Sequence, residues 1–108
     1  MAYDEALAAR IRGELAALDA VTEKEMFGGL AFLVAGNMCV GVAGDDLIAR
    51  VGKSGSDAAL ERPGARPFDM TGRPMAGWVL VAPAGIEGKA LGGWVRTCLE
   101  FVRTLPPK

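Results

Sequence analysis

The chain has 108 residues, 51% of them hydrophobic and 23% charged, with a formal net charge of −1. These values describe one globular domain and exclude a disordered chain. The near-neutral balance argues against the basic stripe that nucleic-acid binding draws on. Residues 1–51 hold eight acids and four bases, whereas residues 52–108 hold five acids and eight bases. No apolar run approaches the roughly 20 residues needed to span a bilayer. The start, with Tyr3, Asp4 and Glu5, is not that of a secretory signal. The expectation is a cytoplasmic protein.

In chain order, Leu7, Ile11, Leu15 and Leu18 recur at helical spacing and predict a helix over 4–18, capped by Asp4. A short strand is predicted over 22–26. A β-hairpin follows over 30–34 and 38–43, with Gly36-Asn37 as its turn. Strict alternation puts Met38, Val40 and Val42 on one face, and the small residues Cys39, Gly41 and Ala43 on the other. A further strand is read over 47–51. A helical turn over 57–61 is capped by Ser56 and stopped by Pro63-Gly64. Strands are predicted over 68–71 and 77–81, joined by a turn at Gly72-Arg73-Pro74. A closing helix over 88–104 carries a stripe of Leu91, Val95, Cys98, Val102 and Leu105, widened by Trp94 and Phe101. Strands between terminal helices read as α+β: an antiparallel β-sheet meander flanked by an N-terminal and a C-terminal helix, in one domain over 1–108.

The sequence is poor in catalytic groups. With no histidine, Ser-His-Asp and Cys-His arrangements are absent, as is the commonest metal ligand. Cys39 and Cys98 lie in apolar surroundings and read as buried, reduced core residues. Gly52-Lys53-Ser54-Gly55 lacks the upstream glycine spacing of a P-loop. Asp45-Asp46 reads as turn chemistry rather than a carboxylate pair. The reading assigns no catalytic residue, no cofactor and no metal. Gly28-Gly29, at the entry to a strand, permits positive φ, a bulge or a close backbone crossing. The candidate binding surface is Met26, Phe27, Gly28 and Gly29 with Arg50 and Arg73.

Taken together, Met26-Phe27-Gly28-Gly29, Phe32, Gly36-Asn37-Met38, Asp46-Leu47 with Arg50, Gly72-Arg73-Pro74-Met75, Trp78, and Leu91 with Trp94 are informative in their order. This chain resembles the N-terminal domain of the TfoX/Sxy family of bacterial competence regulators. The resemblance implies an α+β domain with an antiparallel sheet and a role in regulating DNA-uptake genes. It carries no catalytic residues over. Full-length competence regulators usually add a C-terminal helical domain, so a standalone copy is expected here.

The function expected is that of a non-enzymatic regulatory or adaptor domain acting by protein–protein contact. The alternatives are a small-molecule-binding domain and a direct nucleic-acid binder, the latter requiring Arg50, Lys53, Arg62, Arg66 and Arg73 on one face. A homodimer is expected from apolar surplus at Trp94, Phe101, Cys39, Gly41 and Ala43.

Overall fold

The computed structural model describes residues 3–26, 28–69 and 75–107. Phe27, Arg73 and the turn expected at Gly72-Arg73-Pro74 lie outside the described residues. So does the Met70–Thr71 end of the strand expected over 68–71.

Helix α1, Glu5–Leu15, begins where expected. The Asp4 carboxylate accepts hydrogen bonds from the backbone N–H groups of Ala6 and Leu7 at 2.9 and 3.2 Å. The helix buries Leu7, Ala8, Ile11 and Leu15. It ends one turn earlier than the apolar spacing suggests, and Leu18 packs on the core from beyond it.

Six antiparallel strands form one sheet among the described residues: β1 Val21–Met26, β2 Gly29–Val34, β3 Asn37–Ala43, β4 Asp46–Arg50, β5 Ala65–Pro67 and β6 Trp78–Val81. The spatial order is β1-β2-β3-β4-β6-β5. The first four strands meander, and β6 then inserts between β4 and β5. Edge strand β1 exposes Thr22, Glu23, Lys24 and Glu25, and such charge discourages further strand pairing. At the other edge, β5 is three residues long and ends in Pro67, which an edge tolerates. The strand expected from Phe68 therefore ends just before it. Phe68 instead packs fully buried against the sheet, its ring tilted on Trp78 at a centroid distance of 5.8 Å.

The β2–β3 turn is Ala35-Gly36 rather than Gly36-Asn37. Both turn residues have positive φ, 52° and 84°, as a two-residue hairpin of matching twist demands. Asn37 becomes the first residue of β3 and is buried, donating its side-chain N–H to the Pro106 carbonyl at 2.9 Å.

A register shift between Phe32 and Leu33 breaks the alternation along β3, because Phe32 faces Val40 and Leu33 faces Met38. Cys39 is the extra residue. It joins Val40 and Val42 in the core beneath the helices, while Met38 falls on the opposite face with Ala43. The face assigned from strict alternation is corrected accordingly.

Helix α3, Ala90–Val102, and α1 cover one sheet face over Phe32, Val40, Leu47, Ala49 and Val79. The other face holds a smaller cluster of Ala31, Met38, Ile48, Phe68 and Leu80. Between β4 and β5 lie a 3-10 turn, Lys53–Gly55, and a short helix α2, Ser56–Leu60. Ser56 is the first residue of that helix and not its cap.

Trp94 and Cys39, expected as apolar surplus for self-pairing, are 1% and 0% exposed within a single chain. Those two side chains are spent in the core, whereas Ala43 and Phe101 remain half-buried. No helix among the described residues is long and apolar enough to cross a membrane.

Candidate binding cleft

The candidate surface divides between two ends of the sheet. Met26 pairs with Gly29, and Leu30 with Val42. Ala43 pairs with Asp46, so these residues share one end of the strands. Arg50 is four residues further along β4, about 13 Å at the rise of an extended strand. It is level with Trp78. Gly28, with φ of 72°, is exposed, and an added Cβ would meet open space. Gly29 is buried, and an added Cβ would overlap the Val42 carbonyl in the neighbouring strand. The two glycines thus have separate structural reasons: backbone conformation at Gly28 and space at Gly29.

Arg50 is where a cleft forms. Its guanidinium carbon lies 5.1 Å from the Trp78 ring centroid and 5.5 Å from that of Phe101, within cation–π range of both. One guanidinium N–H donates to the Met38 carbonyl at 3.3 Å. Among the described residues, ion pairs join Arg12 to Glu23 and Arg66 to Asp46, and no acid pairs with Arg50. The cavity beside Arg50 measures about 420 Å³ and is lined also by Gly52, Lys53, Ala76, Gly77, Trp78 and Phe101. Among the described residues, no acid lines it.

Two glycines make this geometry possible. Gly52, at φ 81°, lies against the Phe101 ring, which a Cβ would strike at 2.5 Å. Gly77, at φ 90°, lies so close to Gly52 that a Cβ would approach the Gly52 carbonyl carbon to 3.0 Å. Their loops are tied together. The N–H groups of Val51 and Gly52 donate to the Gly77 carbonyl at 2.8 and 3.1 Å. The Gly77 N–H donates to the Ser56 hydroxyl at 2.8 Å, and that hydroxyl donates to the Gly52 carbonyl at 3.4 Å. Ser56 therefore serves the cleft floor.

A second cleft of about 320 Å³ shares Lys53, Ala76 and Trp78 with the first, and extends past Asp57, Leu60, Pro67 and Met75. Leu60, 36% exposed, is the large apolar side chain most open to solvent among the described residues.

The remaining chemistry lies elsewhere. Cys39 and Cys98 are free and buried. Burial pushes the Cys39 thiol up to about 12 and raises Cys98 as well. Neither thiol is a thiolate near neutral pH. Among the described residues, no group of three or more Cys, Asp or Glu side chains is placed to hold a metal ion. Arg62, after α2, stacks on Trp94 and donates to the Thr97 hydroxyl at 3.1 Å. Arg66 is paired with Asp46. Two of the five bases needed for a nucleic-acid face are thus engaged inside the chain, and Arg73 lies outside the described residues.

Sequence reasoning identified Arg50 but not its setting. In the sequence Trp78 figures only among the residues that carry the resemblance, and Phe101 as part of a widened helical stripe. Nothing in the order of residues brings positions 50, 78 and 101 together.

Comparison with known families matches residues 14–102 to the model of the TfoX N-terminal domain, which is most of the chain. No curated protein and no solved structure matches it.

Proposed function

We propose that this chain, which belongs to the TfoX N-terminal domain family, is a non-enzymatic regulatory or adaptor domain that docks a partner protein in the cleft of Arg50, Trp78 and Phe101. One observation carries the reading. A half-buried arginine lies within cation–π range of two aromatic rings, with no acid among the described lining residues, in an open cleft shaped by two positive-φ glycines. Arginine and tryptophan are the residues on which protein interfaces concentrate their binding energy. The lining of guanidinium, ammonium, indole, phenyl and backbone suits recognition. Docking to a cytoplasmic regulator fits two thiols kept reduced in the core.

A small-molecule reading has one observation in its favour, since about 420 Å³ falls within the usual range of ligand sites. A photocrosslinking residue in place of the exposed Lys53, used in living cells, separates the two. The expected result is a discrete protein adduct that disappears when Ala76→Trp fills the cleft while the melting temperature holds. An adduct with a second copy of this chain would make the partner the chain itself. Absence of any adduct, or an adduct indifferent to Ala76→Trp, overturns the proposal.

A further inference from the structure

We infer that the occupant of this cleft is an extended segment of a partner protein that presents a carboxylate to Arg50 and, two residues away, a large apolar side chain to the adjoining cleft of Leu60, Met75 and Trp78. The inference rests on the docking function proposed above and names the chemistry of the partner.

The carboxylate follows from Arg50. A guanidinium has five N–H donors, and among the described residues one of them has a partner, the Met38 carbonyl. The two rings attract the cation without accepting from its remaining donors. An incoming anion therefore displaces no internal ion pair. It meets a guanidinium already drawn to the cleft by the two rings, and the guanidinium fork favours a planar, two-oxygen acceptor. Lys53 adds a second cation at the same cavity.

The apolar part follows from the adjoining cleft. It shares Trp78 and Ala76 with the first and continues along Leu60, Pro67 and Met75. Side chains two residues apart in an extended segment point the same way, about 7 Å from one another. Such a segment reaches both clefts across the Trp78 ring. Lys53 lines both clefts, so the orientation rests on Asp57, whose carboxylate at the second cleft repels an acid there, and on Arg50, which lines the first cleft alone and receives the acid.

The test uses the two tryptophans as reporters, Trp78 in the cleft and Trp94 in the core, through their indole N–H resonances in the ¹⁵N-labelled protein. The probe is the capped peptide acetyl-Leu-Ser-Glu-Ser-Leu-amide, with its Gln counterpart as the neutral control. The Glu peptide should shift Trp78 and leave Trp94 unmoved. It should bind about tenfold tighter than the Gln peptide, and lose that advantage at high salt. Arg50→Lys, which keeps the charge and loses the fork, should lose most of the difference. Should that variant fail to fold, the Glu–Gln comparison and its salt dependence decide alone. Equal binding of both peptides at Trp78 overturns the carboxylate while leaving cleft docking and its crosslink intact. A Trp78 shift with phenylacetate but not with the Glu peptide makes the ligand a free small acid and overturns the partner class. A shift with a DNA duplex instead of the peptide does the same, and so does a Trp78 that responds to none of them.

Discussion

The Arg62 guanidinium carbon lies 3.6 Å from the centre of the Trp94 ring, close enough for full stacking. Trp94 is 1% exposed, so the guanidinium forms part of the lid over the largest core side chain. A Cβ at Gly93 would meet an Arg62 terminal nitrogen at 3.5 Å, an ordinary contact distance, so the stack does not depend on glycine there. Burial holds the Arg62 guanidinium below its ordinary pKa. Partly desolvated cation–π pairs contribute about 2 kcal/mol. Arg62→Ala should therefore destabilise the domain by about that much and lower its melting temperature by roughly 8–16 °C. Arg62→Lys should recover part of the loss, because the charge remains and the planar stack does not. Thermal unfolding followed by tryptophan fluorescence measures both, and an unchanged midpoint in Arg62→Ala would sink this account.

Gly28 and Gly29 should respond unequally to alanine. Gly28→Ala strains a positive φ in open space and should cost about 1–2 kcal/mol. Gly29→Ala drives a Cβ into the backbone of β3, which cannot yield without opening the β2–β3 ladder. It should cost more than Gly28→Ala, or leave the protein insoluble. Urea midpoints of the two variants give the comparison. Equal midpoints would show that the strand entry relaxes more easily than its geometry implies.

Ala35 carries the reverse expectation. It is the one non-glycine residue with positive φ among the described residues. An L side chain there costs about 1–2 kcal/mol, and asparagine bears the conformation better. Ala35→Asn creates Asn-Gly at the hairpin turn and should raise stability by about 1 kcal/mol. A lower urea midpoint in this variant would mean that the Ala35 methyl makes a contact worth more than the strain.

The parts of this fold legible in the sequence are those set by local patterns. Asp4 announces α1, glycine and apolar alternation announce the hairpin, and the spacing from Leu91 to Val102 announces α3. What stayed hidden depends on one residue or on long separations. A period of two cannot reveal the extra residue at Cys39, yet that residue puts Cys39 on the face of Val40 and Val42 and leaves Met38 on the other. Strand β5 is too short to leave a periodic trace. In the cleft, Arg50 ends a strand, Gly77 lies in a turn, and Phe101 sits on the last helical turn. Their meeting is a product of the sheet order, with β6 beside β4, which no local pattern encodes.

The buried thiols set an alkaline limit on stability. Burial is the main cause that raises Cys39 to about 12, and Cys98 rises through burial and then through the charge of Cys39. An unfolded cysteine titrates near 8.5. A group whose folded pKa lies above its unfolded value contributes stability that is fully present below the unfolded pKa and is lost as pH rises toward the folded one. The window therefore runs from about pH 8.5 to 12. Each thiol removes about 1.4 kcal/mol per pH unit within it, because the unfolded chain releases a proton that the folded chain retains. The measurement is a difference between two proteins, so that contributions shared by both cancel. Urea midpoints of the wild type and of Cys39→Ala/Cys98→Ala are compared from pH 7 to 10.5. The double variant should be less stable at pH 7, where it has lost two packed sulfurs, and should fall less steeply above pH 9. A gap between the two proteins that stays constant across the range would mean that the thiols ionise in the folded core, contrary to the burial described here.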